Sequence, residues 1–321
     1  MVPYIRAHDR YFRAHTVDSM YALQLYVAAR LLGFCTAGID GSLLNALYER
    51  FKGESKLPSH FTPDMYPELS SRLYQGDIML PISRNAILSD YYKWPKATVP
   101  YIIHYNFTMD ERSRIRMAMD AIESKTCLRF VDKNDGSSAR ALQDLGHAEH
   151  LYIVREHNKG CYAMIGYHRD MGSPHMMNLE APSCIAYQGT VQHELLHVVG
   201  LLHEQARNDR DKAVTIYWEN IDKAYWPDFN KVPDNVTSSF GLPYDYTSVM
   251  HYPRFAFSKN GKETIVAKYD SSMALGQRNG ATVNDLRKVN AMYNCNGAST
   301  TPNINTNVNS GEYQGNSFNI F

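Results

Sequence analysis

The sequence has no net charge: thirty-three Lys and Arg balance thirty-three Asp and Glu. The electrostatic footprint of a nucleic-acid binder, or of a protein drawn to an anionic membrane, is therefore missing. An apolar run of membrane-spanning length is missing too. The best candidate, residues 21–37, is short and interrupted by Arg30, whereas a span needs about 20 apolar residues. No internal repeat is present, which argues against a solenoid or propeller. Cysteine is scarce and odd in number: Cys35, Cys127, Cys161, Cys184 and Cys295. An odd count in an exported protein flags a free thiol. Cys35, however, lies in the N-terminal stretch that reads as removable, and the four others allow two disulfides with three possible pairings.

What is present is ordinary for a folded soluble protein: 44% hydrophobic and 21% charged residues over 321 positions. That length suits one domain of about 200 residues with additional segments. From Met20 an apolar run ends in the small residues Cys35-Thr36-Ala37 before Gly38. It resembles a secretory signal cleaved after Ala37, with an internal start at Met20 accounting for the residues ahead of it. The sequons Asn106-Phe107-Thr108 and Asn235-Val236-Thr237 point the same way, to a secreted glycoprotein. Four segments follow: an N-terminal extension at 1–37, an irregular stretch at 38–84 broken by Pro58, Pro63, Pro67 and Pro81, a folded domain at 85–296, and a disordered Asn/Thr/Ser/Gly tail at 297–321.

Within the folded part, residues 98–107 read as a strand, rich in β-branched and aromatic side chains. Thr108 and Glu111 form a capping-box pattern, and Ile115, Ala118, Met119 and Ile122 recur at helical spacing, predicting a helix over about 109–125. Residues 127–131, 151–154 and 160–167 read as further strands. Residues 190–199 read as a helix, and 282–293 as a closing helix.

The decisive stretch is residues 190–211, TVQHELLHVVGLLHEQARNDRD. His193 and His197 lie four apart, on one face of a helix and one turn apart, so both imidazoles can reach a single Zn²⁺. Glu194 is turned about 100° away and can hold the metal's water without being a ligand. On a continuing helix His203 would sit about 9 Å past His197, out of reach. The helix must therefore stop, and Gly200 stands where a left-handed residue would end it and turn the chain back. The pattern H-E-x-x-H-x-x-G-x-x-H thus encodes a metal helix, a sharp turn and a third ligand. It arises by chance on the order of 10⁻⁴ per chain or less, far more rarely than bare HExxH. Three histidines leave one coordination position for water, the mark of a catalytic zinc. Glu194 is placed to take the proton of that metal-acidified water and pass it to a leaving amine.

These residues, with Tyr246–Tyr252 (YTSVMHY), resemble the astacin-family metalloendopeptidases, a branch of the metzincins; the likeness spans about Asn85 to Cys295. The resemblance implies an α+β metzincin domain with an active-site cleft, one Zn²⁺ per chain, and hydrolysis of protein or peptide substrates. It implies Met250 as the floor under the metal and Tyr252 as a further ligand that swings away to stabilise the oxyanion, with His251 structural. It implies disulfides Cys127–Cys295 and Cys161–Cys184, the first closing a loop worth roughly 4–5 kcal/mol in the chain-entropy model. It also implies a zymogen. Tyr74-Gln75-Gly76-Asp77 matches the family's F-x-G-D switch with Tyr in place of Phe, so Asp77 would take the water's place on zinc. An activating protease would cut at Arg84-Asn85, and the new amine would be buried near Glu204. Family members often favour an acidic residue after the scissile bond, for which Arg254, Lys259, Lys262 and Lys268 are available. The strand at 160–167 would pair with extended substrate. No membrane span or nucleic-acid partner is expected, and the oligomeric state is left open.

Overall fold

A computed structural model describes residues 66–80, 92–138, 142–169, 174–234 and 236–295. Ala37, Cys35, Arg84-Asn85, Asn235 and the 297–321 tail lie outside them. Six strands form one mixed sheet: β1 (Ile78–Met79), β2 (Thr98–Ile103), β3 (Arg129–Asp132), β4 (Leu151–Val154), β5 (Cys161–Met164) and β6 (His175–Leu179). Their order is β1-β5-β6-β4-β2-β3, parallel throughout except for the antiparallel β5–β6 pair. Helix α1 (Met109–Glu123) packs on α2 (Gln188–Val198), and α2 lies against β5 and β6. Separately, β7 (Val214–Ile216) and β8 (Ile265–Ala267) form an antiparallel ribbon, and α3 (Val283–Met292) is the last element described.

The local chemistry accounts for the boundaries. Thr108 accepts from the Glu111 N–H, and the Glu111 carboxylate accepts from the Thr108 N–H, so α1 starts where the capping box predicts. Ile115, Ala118, Met119 and Ile122, the helical stripe of the sequence, are the buried residues of α1. β2 is shorter than the sequence suggests. It stops at Ile103 because the Arg112 guanidinium donates to the carbonyls of Ile103, His104 and Phe107 and gathers residues 104–107 into a turn. Thr282 and Asp285 form a second capping box that starts α3.

Four strands were not legible: β7 and β8, for which the sequence offered no strand, and β6 and β1. β6 (HMMNL) carries neither β-branched residues nor an alternating pattern, and only its place between β5 and β4 makes it a strand. β1 falls in the stretch read as irregular. Ile78 and Met79 pair with Ala163 and Met164, so the edge of β5 that sequence reasoning reserved for substrate is lined by the upstream segment.

The interior has two parts. The larger lies between sheet and helices and includes Val249 and Met250. The smaller is aromatic and gathers Phe229, Tyr252 and Phe257 with Val214 and Ile265. Leu69 of the upstream segment belongs to this second core, so that segment is packed as interior rather than draped on the surface. Cys127–Cys295 and Cys161–Cys184 are both disulfides, closing loops of 168 and 23 residues. Chain entropy assigns them about 5 and about 3 kcal/mol.

Candidate metal centre

Helix α2 ends as its glycine requires. Gly200 has φ 107°, a conformation that a side chain resists. The Gly200 N–H donates to the His197 carbonyl at 2.8 Å, and the Leu201 N–H to the Leu196 carbonyl at 2.9 Å, the paired bonds of a Schellman termination. The chain doubles back, and His203 meets the two helical histidines. The Nε2 atoms of His197 and His203 stand 3.2 and 3.3 Å from that of His193. The Asp77 carboxylate completes the group, 3.0 Å from His193, 3.5 Å from His197 and 3.4 Å from His203, with all four side chains buried.

This donor set fits zinc. Zn–N bonds of about 2.0–2.1 Å in a tetrahedron require ligand atoms about 3.3–3.4 Å apart, close to the spacings found. Every Nδ1 faces an acceptor: Val249 O for His193 (2.7 Å), Leu201 O for His197 (2.7 Å) and Gln75 Oε1 for His203 (3.0 Å). The Nδ1 atoms therefore carry the protons, and three Nε2 lone pairs converge with a carboxylate. Such convergence is repulsive without a cation, and Asp77 Oδ1 has no hydrogen-bond donor among the described residues. Burial opposes the charge on Asp77, yet His203, His197 and the hydrogen bond to His193 hold its carboxyl well below the usual range. Burial pushes His193 down to about 3. Anionic carboxylate and neutral imidazoles are the forms a metal takes.

Glu194 is fully buried, and neither of its oxygens has a hydrogen-bond partner among the described residues. Burial first, then the charges of Asp77 and Glu68, raise its carboxyl well above the ordinary value. Tyr252 packs on the His203 ring, centroids 4.8 Å apart, and its hydroxyl donates to the Gln75 carbonyl.

Met250 sits in a turn held from α3. Asp285 accepts from the Ser248 hydroxyl (2.5 Å) and the Val249 N–H (3.0 Å), while the Met250 carbonyl accepts from the Glu204 N–H (2.9 Å). Sequence reasoning missed Asp285, whose only signal was its place as the third residue of the α3 capping box.

It also missed Arg278. This buried guanidinium donates to the carbonyls of Val249 (3.1 Å) and His251 (3.3 Å), and to Glu68 of the upstream segment at 2.8 and 2.5 Å. The cations named from the sequence are placed otherwise. Arg254 is tied to Glu263 and to the Met273 and Ser271 carbonyls, Lys268 donates to the Asp211 carbonyl, and Lys259 and Lys262 are exposed. Glu204 is buried rather than solvated, held by Lys288, by Arg207 (3.0 Å) and by the Asp245 N–H (2.9 Å). Asn106 is exposed, in the turn after β2.

Fold and site together define a zinc peptidase with a three-histidine cage. Residues 86–294 match the family model described as Astacin, a family of peptidases. The chain is 38% identical over 232 residues to the low choriolytic enzyme of Oryzias latipes, covering 70% of this chain and 78% of that one. It is 36% identical over 236 residues to zinc metalloproteinase nas-4 of Caenorhabditis elegans, covering 70% of each. Among solved structures, high choriolytic enzyme 1, a hatching enzyme zinc-protease from the same fish, superposes with TM-score 0.56 at 36% identity, over 64% of this chain and 96% of that one. The chain belongs to the astacin family and is a zinc metalloendopeptidase acting on protein substrates.

Proposed function

We propose that this chain is the zymogen of a secreted endopeptidase, kept latent by Asp77 and activated by another protease cutting at Arg84-Asn85. The observation that carries this reading is the Asp77 carboxylate within 3.0–3.5 Å of all three histidine Nε2 atoms. It is supported by the way residues 66–80 pack against the domain, with Ile78 in the sheet, Leu69 in a core and Glu68 paired with Arg278. The chain then divides into a leader at 1–37, a propeptide at 38–84, a peptidase domain at 85–296 and a tail at 297–321. Two disulfides, which persist in oxidising compartments, and an exposed Asn106 sequon accord with export.

Zinc held by His193, His197 and His203 supplies Lewis acidity towards water and the scissile carbonyl. Glu194 acts as general base and then general acid. Its buried carboxyl, held well above the ordinary carboxyl range by burial, takes the proton of the attacking water and returns it to the departing amine. When residues 66–80 leave, the Tyr252 hydroxyl loses the Gln75 carbonyl and becomes a donor for the oxygen that gains charge in the transition state. Met250 underlies the cage from the core. Arg278, relieved of Glu68, receives an acidic side chain of the substrate. Glu204 accepts the new amine of Asn85 beside Lys288, a buried carboxylate being able to serve several donors.

The test compares the full chain, the chain cleaved after Arg84, and full-length Asp77→Ala on a quenched peptide. Full-length wild type should be silent and the cleaved chain fully active, with uncut Asp77→Ala between them because residues 66–80 still hold Tyr252 and Arg278. A cleaved, zinc-loaded chain that stays silent, or an uncut wild-type chain that already hydrolyses the peptide, sinks the reading.

A further inference from the structure

The residue that the F-x-G-D pattern leaves unspecified is the one most tightly engaged around the cage. Gln75 is fully buried and uses every polar group it has. Its N–H donates to Asp228 Oδ1 at 3.0 Å, and its carbonyl accepts from the Tyr252 hydroxyl. Its Oε1 accepts the Nδ1–H of His203 at 3.0 Å, and its Nε2 donates to the Tyr74 hydroxyl at 3.2 Å. It does this at φ 49°, a left-handed conformation that persists in a residue with a Cβ only where surrounding contacts over-determine it.

The three ligands are not supported alike. His193 and His197 give their Nδ1 protons to Val249 and Leu201, backbone carbonyls of the peptidase domain that remain after any cleavage upstream. His203 gives its proton to a side chain of the segment that maturation removes. The acceptor on a ligating imidazole's far nitrogen fixes the ring's tautomer and orientation and raises its basicity. Losing such a partner typically costs 10–100-fold in metal affinity.

We propose that Gln75 is a positioning residue for the third zinc ligand. Through His203 it tightens zinc in the latent chain, and its departure on activation withdraws that support. The inference rests on the latency reading, but it assigns to Gln75 a duty separate from Asp77's. Asp77 blocks the metal; Gln75 sets how firmly His203 grips it. Zinc loading would thus be most secure in the uncut chain and looser once the segment is gone.

The experiment uses the full-length uncut chain and reads zinc affinity by competition with a chromogenic chelator, with peptide hydrolysis followed in parallel. Gln75→Leu keeps the bulk and removes the acceptor. It should weaken zinc binding on the order of 10–100-fold while the chain stays silent, because Asp77 is intact. Gln75→Glu restores an oxygen acceptor and should recover wild-type affinity or better, which a purely space-filling role would not produce. Wild-type affinity in Gln75→Leu, or no recovery in Gln75→Glu, overturns the proposal. So does peptide hydrolysis by uncut Gln75→Leu, since Gln75 would then be holding the segment and not the ligand. An uncut wild-type chain that already hydrolyses peptide is the separate signature of a failed latency reading.

Discussion

Glu68 and Arg278, 210 residues apart in the chain, form a buried ion pair beside the metal cage. Burial raises the Glu68 carboxyl, and Arg278 pulls against that shift. A carboxylate from the upstream segment therefore lies where an arginine, itself bonded to the carbonyls of Val249 and His251, can receive one from a substrate. Hydrogen bonds to charged groups are worth about 1.5–3 kcal/mol. In the matured enzyme Arg278→Met should lower kcat/KM for an aspartyl peptide by about 10–100-fold and for its asparaginyl counterpart much less. Equal losses on the two peptides would show that Arg278 supports the turn and does not read the substrate.

Glu194→Gln removes the proton acceptor and leaves the three imidazoles in place. The matured variant should lose about 10²–10⁴-fold in kcat, the usual contribution of a general base, with one zinc per chain still found by atomic absorption. Zinc loss in proportion to activity would make Glu194 a structural support of the cage.

Gly200→Ala tests the turn that delivers His203. A Cβ there meets only the flexible Met292 side chain, Sδ at 3.4 Å and Cε at 3.8 Å, so space is not the obstacle. The strain comes from φ 107°, and such strain costs about 1–3 kcal/mol. Thermal unfolding should fall by about 2–4 °C per kcal/mol, with weaker zinc binding as His203 shifts. An unchanged melting temperature together with unchanged zinc affinity would refute the termination argument.

His175 governs part of the acid response. It is buried between Trp94 and Tyr167, and its Nε2 accepts the His168 N–H at 2.8 Å. Burial, aided by His168, His150 and His147, lowers it from 6.5 to about 3. Between those values the unfolded chain binds a proton that the folded one refuses. The stability His175 contributes is therefore complete above pH 6.5 and drains as pH falls towards 3, at about 1.4 kcal/mol per unit. His175→Gln keeps an acceptor and does not titrate, so its urea midpoint should fall less than wild type's between about pH 7 and about pH 5. Parallel curves would assign the acid limb to other groups.

Much of the site was legible because it is local. His193, His197, Gly200 and His203 fall within one short stretch, and helical geometry with one left-handed residue brings three rings together. Asp77 could be named only through the resemblance, since a Gly-Asp pair by itself reads as a turn. Gln75, Arg278 and Asp285 were not legible. Each acts across a wide gap in sequence, and no local spacing announces which residue it will meet. Arg254 illustrates the converse: a cation close in sequence to the Met250 turn is consumed by Glu263.

The sequence by itself determined the chemistry, because ligand identity and spacing along a helix survive without knowledge of any distant contact. The tertiary structure decided what surrounds that chemistry. β1 adds to the sheet at β5, Leu69 enters the aromatic core, and the far nitrogens of the ligands find acceptors on Val249, Leu201 and Gln75. Those contacts depend on which buried polar groups meet when separate segments pack, and polar groups removed from water must find whichever partner the packing supplies.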